Sequence, residues 1–161
     1  MERELIEQYA KGADKVALAI RGLTREDLLA VPDPSANVGK WSIQEVVIHL
    51  ADCDGVFADR MKRVLSEDNQ TLLAFDENKW AAALNYKGQS AEDAVTLFEL
   101  TRKQMSAVLR AASDAQLART GTHTERGRQT VLDILGYAVR HLDHHLKFIH
   151  QKRANMGKEM W

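Results

Sequence analysis

Trp41-Ser42-Ile43-Gln44-Glu45-Val46-Val47-Ile48-His49-Leu50 is the stretch whose reading decides the fold. Ser42-Ile43-Gln44-Glu45 fits the S-x-x-E capping box that opens a helix, and Trp41 stands where a hydrophobic staple would pack. Beyond it Ile43, Val46, Leu50, Cys53, Phe57, Met61 and Val64 recur at spacings of three and four. That period predicts one amphipathic helix reaching about Ser66. His49 lies at the flank of the stripe, beside Val46 and Cys53, with Glu45 and Asp52 close on its other side.

The same period governs most of the remaining chain. A first helix is expected over residues 2–22, with Leu5, Ile6, Tyr9, Val16 and Ile20 facing inward and Gly22 helping to end it. Thr24 caps a short turn, and Pro32-Asp33-Pro34-Ser35-Ala36-Asn37-Val38-Gly39 reads as loop. Residues 67–89 form a long connection with a short helical piece around Asp76–Leu84. A link of that length is unusual between antiparallel neighbours and suits a crossover along the bundle. Ser90 caps a third long helix carrying Val95, Phe98, Met105, Val108 and Leu109, and residues 120–129 read as a polar connection. Thr130 opens a fourth helix to about Arg153. The predicted class is all-α, a four-helix bundle forming a single domain over residues 1–161.

Composition narrows the function classes. The 161 residues hold 22 Lys+Arg against 23 Asp+Glu, so no basic surface for nucleic acid or anionic membrane is expected. No apolar run approaches the ~18 residues of a membrane span. The acidic, amphipathic start Met1-Glu2-Arg3-Glu4-Leu5 is unlike a signal peptide, and the single Cys53 cannot close an internal disulfide. A cytoplasmic protein acting on a small molecule is the default expectation.

The fourth helix carries Arg140-His141-Leu142-Asp143-His144-His145. Residues i and i+4 stack on one helix face, so His141 and His145 can chelate one divalent metal. On a helical wheel with His141 at zero, His145 falls at about 40°, inside an apolar arc, while His144 falls at about 300°, on its border. The inward pair is therefore His141 and His145, and His144 is a residue for the mouth. His49 is about 9 Å along its own helix. Antiparallel second and fourth helices bring all three imidazoles to one level, which predicts an up-down-down-up order. No Glu follows His141, so the H-E-x-x-H motif with its built-in base is absent.

Taken together, these residues resemble the DinB/YfiT-like superfamily of four-helix metalloenzymes. The resemblance spans essentially the whole chain. It rests on residues 41–50 and 140–145, with Asp76 and Trp80, Arg102, and His123-Thr124-Glu125-Arg126-Gly127 between them. It implies a divalent metal on three histidines, here His49, His141 and His145. It also implies the up-down-down-up bundle and a homodimer. Some members of that superfamily resemble S-transferases and isomerases using a low-molecular-weight thiol, bacillithiol or mycothiol; others have been described as hydrolases.

Imidazole suits zinc, nickel, copper and iron alike, with zinc or nickel the leading expectation. An open position on the metal would generate a nucleophile near neutral pH, for thiol transfer or hydrolysis. The alternative is a non-catalytic metal-binding or stress-associated bundle that acts through a protein partner. His144, Asp52 and His123 are the candidates for moving protons. Asp52 and His123 have plainer readings, as an exposed helical carboxylate and a solvent-exposed loop histidine. Cys53 is either a soft ligand or a small core hydrophobe, and the core reading is favoured. Arg60 could hold an anionic substrate group, although an internal ion pair is the favoured role. Trp41, Trp80 and Tyr137 are read first as packing residues.

Overall fold

The computed structural model describes residues 2–159, so Met1, Met160 and Trp161, the ends of the expected domain, lie outside the described residues. The chain is mostly helical and resembles a four-helix bundle. Its helices are α1 (Glu2–Lys11), α2 (Lys15–Ile20), α3 (Arg25–Leu29), α4 (Ile43–Ser66), α5 (Glu77–Ala83), α6 (Ala91–Ala111), α7 (Asp114–Leu117) and α8 (Val131–Asn155). Among the described residues, none is long and apolar enough to cross a membrane.

Capping chemistry sets the helix starts. Ser42 accepts from the Glu45 amide while Glu45 reaches back to the Ser42 amide, closing the capping box at the head of α4. Thr130 and Asp133 do the same for α8, and Thr24 and Asp27 for α3. Ser90 caps α6 through the Asp93 amide. Each cap satisfies an amide that the helix itself leaves without a partner.

Two departures from the sequence expectation have clear physical causes. The first helix is broken between Lys11 and Lys15. The Tyr9 carbonyl accepts from the Gly12 amide at 3.1 Å and from Arg102 Nη1 at 3.2 Å, instead of receiving the Ala13 amide. A Cβ at position 12 would stand 2.3 Å from Arg102 Nη1 and 2.8 Å from Leu142 Cδ2. Gly12 thus leaves space for a guanidinium arriving from α6.

The second departure is a small sheet where all-helical structure and polar loop were expected. β2 (Thr120–His123) pairs antiparallel with β3 (Gly127–Thr130) and parallel with β1 (Thr71–Leu72). The segment is too short and polar for an alternating apolar signal. Its one inward anchor on β1 is Leu72, and Gly121 lies against Val64 and the Gln70 carbonyl with no room for a side chain.

Contacts between the long helices follow a regular register. Gln44, in the first turn of α4, donates to the carbonyls of Tyr86, Lys87 and Gln89 just ahead of α6. Asp54 meets Arg102 midway, and Lys62 reaches Gln104 at 2.9 Å. Against α8 the order is reversed: Phe57 meets Tyr137 and His49 meets His145. Arg3 reaches the Arg110 and Ala112 carbonyls at the far end of α6.

The core is two apolar clusters rather than one. One contains Ile43–Ala51 side chains of α4 with Leu142, Leu146 and Ile149 of α8; the other contains Cys53, Phe57 and Met61 with Ile134, Leu135 and Ala138. The seam between them falls at residues 51–53 on α4 and 138–142 on α8. Polar groups occupy that level. Arg102 and Asp54, 1% and 2% exposed, form a two-point ion pair at 3.0 and 2.9 Å. Arg102 also donates to the Ala138 carbonyl and lies between the Tyr9 and Phe98 rings at 4.4 and 4.5 Å. Burial pushes the Asp54 carboxyl upward, opposed by the Arg102 charge and by its hydrogen bonds. The pin joins α1, α4, α6 and α8 beside the histidines.

Candidate metal centre

His49, from α4, is 0% exposed. His141 and His145 enter from α8, where i,i+4 spacing stacks them. The ring centroids lie 5.1 Å apart for His49 and His141, 4.7 Å for His49 and His145, and 4.5 Å for His141 and His145. His49 Nε2 stands 3.1 Å from His141 Nε2. Cys53, one turn beyond His49, places Sγ 3.6 Å from the His49 ring nitrogens. Ligand atoms of His49, Cys53 and His141 all lie within 4.8 Å of one another.

All three imidazoles are held neutral at physiological pH. Burial lowers His49 to about 4. Burial, then the His145 and His49 charges, lowers His141 to about 2; burial and neighbouring histidines lower His145 to about 3. Neutral imidazole is the form that binds metal. Burial pushes the Cys53 thiol well above its ordinary range, with Glu77 the first of several acids adding to the effect.

The donor distances fit a small divalent ion. Zn–N bonds of ~2.0–2.1 Å at tetrahedral angles separate two nitrogens by about 3.3 Å, and a thiolate from a nitrogen by about 3.5 Å. The Nε2 pair at 3.1 Å and the Cys53 sulfur at 3.6 Å are close to both values. His49, His141 and Cys53 thus form one candidate donor set, and His145 stands beside it, its ring centroid 4.7 Å from that of His49 and 4.5 Å from that of His141.

The remaining sequence candidates are dispersed. Asp52 accepts the Tyr86 hydroxyl at 2.5 Å rather than an imidazole N–H. His144 is exposed and packs edge-on against His145 and Phe148. His123 is not a surface loop residue: it is 4% exposed, sits on β2, and lines a cavity with His141. Its Nδ1 accepts the Glu125 and Arg126 amides at 3.2 and 3.3 Å. Burial, then the Arg60 and Arg126 charges, lowers its pKa. Trp41 packs on His49 at 4.9 Å and Tyr137 stacks on His141 at 5.8 Å, while Trp80 packs on Phe75. Two of the three packing aromatics thus also wall the histidines.

Glu77 was missed by the sequence reading. At the start of α5, its Oε2 lies 3.8 Å from His49 Nε2, and it lines the cavities on both sides of the histidines. The available signal was the Asp76 cap. Asp76 accepts the Asn78 and Lys79 amides, and this fixes where the first residue of α5 stands.

A mostly helical bundle on which neutral histidines from two helices converge, His49 buried and His141 and His145 half-buried, carries a candidate metal site. Residues 5–149 match the family model described as the DinB superfamily, and the chain belongs to that family. A protein of Oceanobacillus iheyensis named "Putative metal-dependent hydrolase" is 31% identical over 117 residues, covering 73% of this chain and 67% of that one. YfiT of Bacillus subtilis, under the same description, is 28% identical over 120 residues, covering 74% and 67%. The solved structure of YfiT, described as a probable metal-dependent hydrolase with an unusual four-helix bundle topology, superposes with a TM-score of 0.87 at 25% identity, over 97% of this chain and 87% of that one. The solved mycothiol-dependent maleylpyruvate isomerase shares the fold alone, with a TM-score of 0.73 at 9% identity over 92% of this chain and 60% of that one.

Proposed function

We propose that this chain is a metal-dependent enzyme that hydrolyses a small electrophilic substrate or transfers a small thiol to it, using a divalent ion, zinc or nickel, held by His49, His141 and His145. The observation that carries the reading is the convergence of three neutral imidazoles with centroids 4.5–5.1 Å apart. The description of the relatives as metal-dependent hydrolases favours hydrolysis of the two reactions. The ion supplies Lewis acidity, which lowers the pKa of a water or thiol delivered to it.

The protein groups do the rest. Trp41 and Phe57 wall the imidazoles, at 4.9 Å from His49 and 5.5 Å from His141, and keep bulk water from them. The Glu77 carboxylate, 3.8 Å from His49 Nε2 and 55% exposed, takes the proton released by the incoming nucleophile and returns it to solvent or to the leaving group. Cys53 stays a buried, protonated core residue, and His144 acts from the rim. In this reading the chain is one domain with an up-down-down-up helix order. The order is supported by the Gln44–Gln89, Asp54–Arg102, Phe57–Tyr137 and Arg3–Ala112 contacts. A cytoplasmic homodimer belongs to the same reading, and exposed Leu97 and Leu100 on one face of α6 support the dimer.

The test is a screen of small esters, amides and thiol-reactive electrophiles, with and without a low-molecular-weight thiol, on metal-loaded and metal-free protein. Turnover should require the metal. A loaded protein inert toward every combination would reject the enzyme and favour a metal-binding bundle working through a partner.

A further inference from the structure

The cavity beside the histidines has a volume of about 80 Å³ and runs from Cys53 and His141 to Arg60, Arg126 and His123. Arg60 is 7% exposed, yet no carboxylate among the described residues forms an ion pair with it; its one protein acceptor is the Leu73 carbonyl. Asp59, its neighbour in sequence, is held by Arg63 at 2.8 Å. A nearly buried guanidinium without a counter-ion is costly, and such groups are retained where they meet an anion.

Two further donors face the same space. Arg126 lies over the Tyr137 ring at 4.1 Å and donates to its hydroxyl at 3.1 Å. That stacking holds its guanidinium at the cavity wall. The Arg126 charge, second only to burial, lowers the Arg60 pKa, so the two cations stand close enough to repel. His123 Nδ1 is occupied by two backbone amides, so the proton of the neutral ring sits on Nε2, which is a donor. Glu77 and Glu125 also line the cavity, but neither forms an ion pair with Arg60 or Arg126 among the described residues, and Glu77 belongs to the His49 end.

We infer that Arg60, Arg126 and His123 form a subsite for a small oxyanion, the carboxylate or phosphate group of the substrate, in the cavity that leads to the histidine cluster. The size fits: a cavity of about 80 Å³ takes several waters and so has room for a small oxyanion. Arg60 is seven residues beyond Cys53 on α4, about 10 Å along the helix. A substrate anchored there presents a centre a few bonds from its anion to the histidines. Arginine's planar fork and fixed charge suit such an anchor. The reactive half of this inference rests on the proposed metal-dependent reaction; the binding half does not.

The experiment is therefore run first on the metal-free full-length chain. Sodium acetate, sodium phosphate and, as a neutral control, acetamide are titrated at pH 7, following the arginine Nε–H and histidine Nε2–H signals by NMR. At least one anion should saturate with shifts at Arg60 and His123, and acetamide should give none. The tighter of acetate and phosphate identifies the substrate's anionic group. Arg60→Gln should weaken binding at least tenfold. Arg126→Gln, at an exposed position, should weaken it severalfold in a chain whose fold is unchanged by circular dichroism. Absence of saturation with both anions, equal response to acetamide, or unchanged binding in the folded Arg126→Gln chain would overturn the subsite. Anion binding without any turnover in the metal-loaded chain would reject the reaction alone.

Discussion

Replacing Arg102 by Met should be among the most damaging single changes outside the histidines. The substitution keeps length and apolar bulk but removes the two-point pair to Asp54 and the donors to the Tyr9 and Ala138 carbonyls. Asp54, 2% exposed, is left with the Tyr9 hydroxyl at 3.0 Å as its one remaining side-chain partner among the described residues. Breaking a buried pair by deleting one partner costs about 3–5 kcal/mol, against a total stability of about 5–15 kcal/mol for a domain. With a urea slope of about 2 kcal/mol/M, the midpoint should fall by roughly 2 M. Removing both charges in Asp54→Leu/Arg102→Met should recover at least about 1 kcal/mol of that loss, because no unpaired carboxylate remains. Urea unfolding followed by helical circular dichroism measures all three chains. A loss below about 1 kcal/mol in Arg102→Met would refute the idea that this pin holds the four helical segments at the level of the site.

Other consequences are equally specific. Gly12→Ala normally favours a helix by about 1 kcal/mol, but here the Cβ meets Arg102 Nη1 at 2.3 Å, so thermal melts should show destabilisation instead. In the metal-free chain the histidines have folded pKa values below the unfolded 6.5, so the unfolded state binds more protons and stability is lost as pH falls from 6.5 toward about 4. His49 alone accounts for about 2 kcal/mol between pH 7 and pH 5; denaturant melts with no loss over that range would remove the buried, neutral assignment. Cys53→Ala should keep metal stoichiometry and cost about 1 kcal/mol of packing, measured by metal analysis and melting. Loss of the metal would transfer the third donor from His145 to Cys53.

The sequence foretold the parts of this molecule that local chemistry controls. The Ser42–Glu45 box, the Ser90 cap and the Thr130 start of α8 are each written in three or four residues, and each stands where expected. The stacking of His141 and His145 needed only helical geometry, whereas the approach of His49 to them was expected only from antiparallel second and fourth helices. The break at Gly12 was not legible, because its cause is an arginine from α6 arriving at a carbonyl of α1. The β1–β2–β3 sheet was hidden because its strands are very short: β2 and β3 have four residues each, and the two-residue β1 joins β2 from far along the chain, Leu72 beside His123. That pairing moved His123 from an expected loop to a cavity wall. Arg60 illustrates the same limit. Its favoured internal ion pair is absent among the described residues, where its acceptor is the Leu73 carbonyl, a contact across 13 residues that spacing alone could not show. For Glu77 the Asp76 cap could mark where α5 begins, but that Glu77 faces His49 is decided only when α5 is set against α4.

The central claim is most directly tested by metal analysis of the protein prepared without a histidine tag, comparing the parent with His141→Ala after equilibration with zinc and gel filtration. The His141 imidazole contributes a ring nitrogen 3.1 Å from that of His49, so removing it takes away one corner of the site while the Leu142 and Ala138 packing on either side remains. The account predicts one ion per chain in the parent, loss of at least 90% of it (on the order of 1.4 kcal/mol or more in affinity) in His141→Ala, and unchanged helical circular dichroism in both. A parent that retains no divalent ion, or a folded His141→Ala chain that retains as much as the parent, would contradict it.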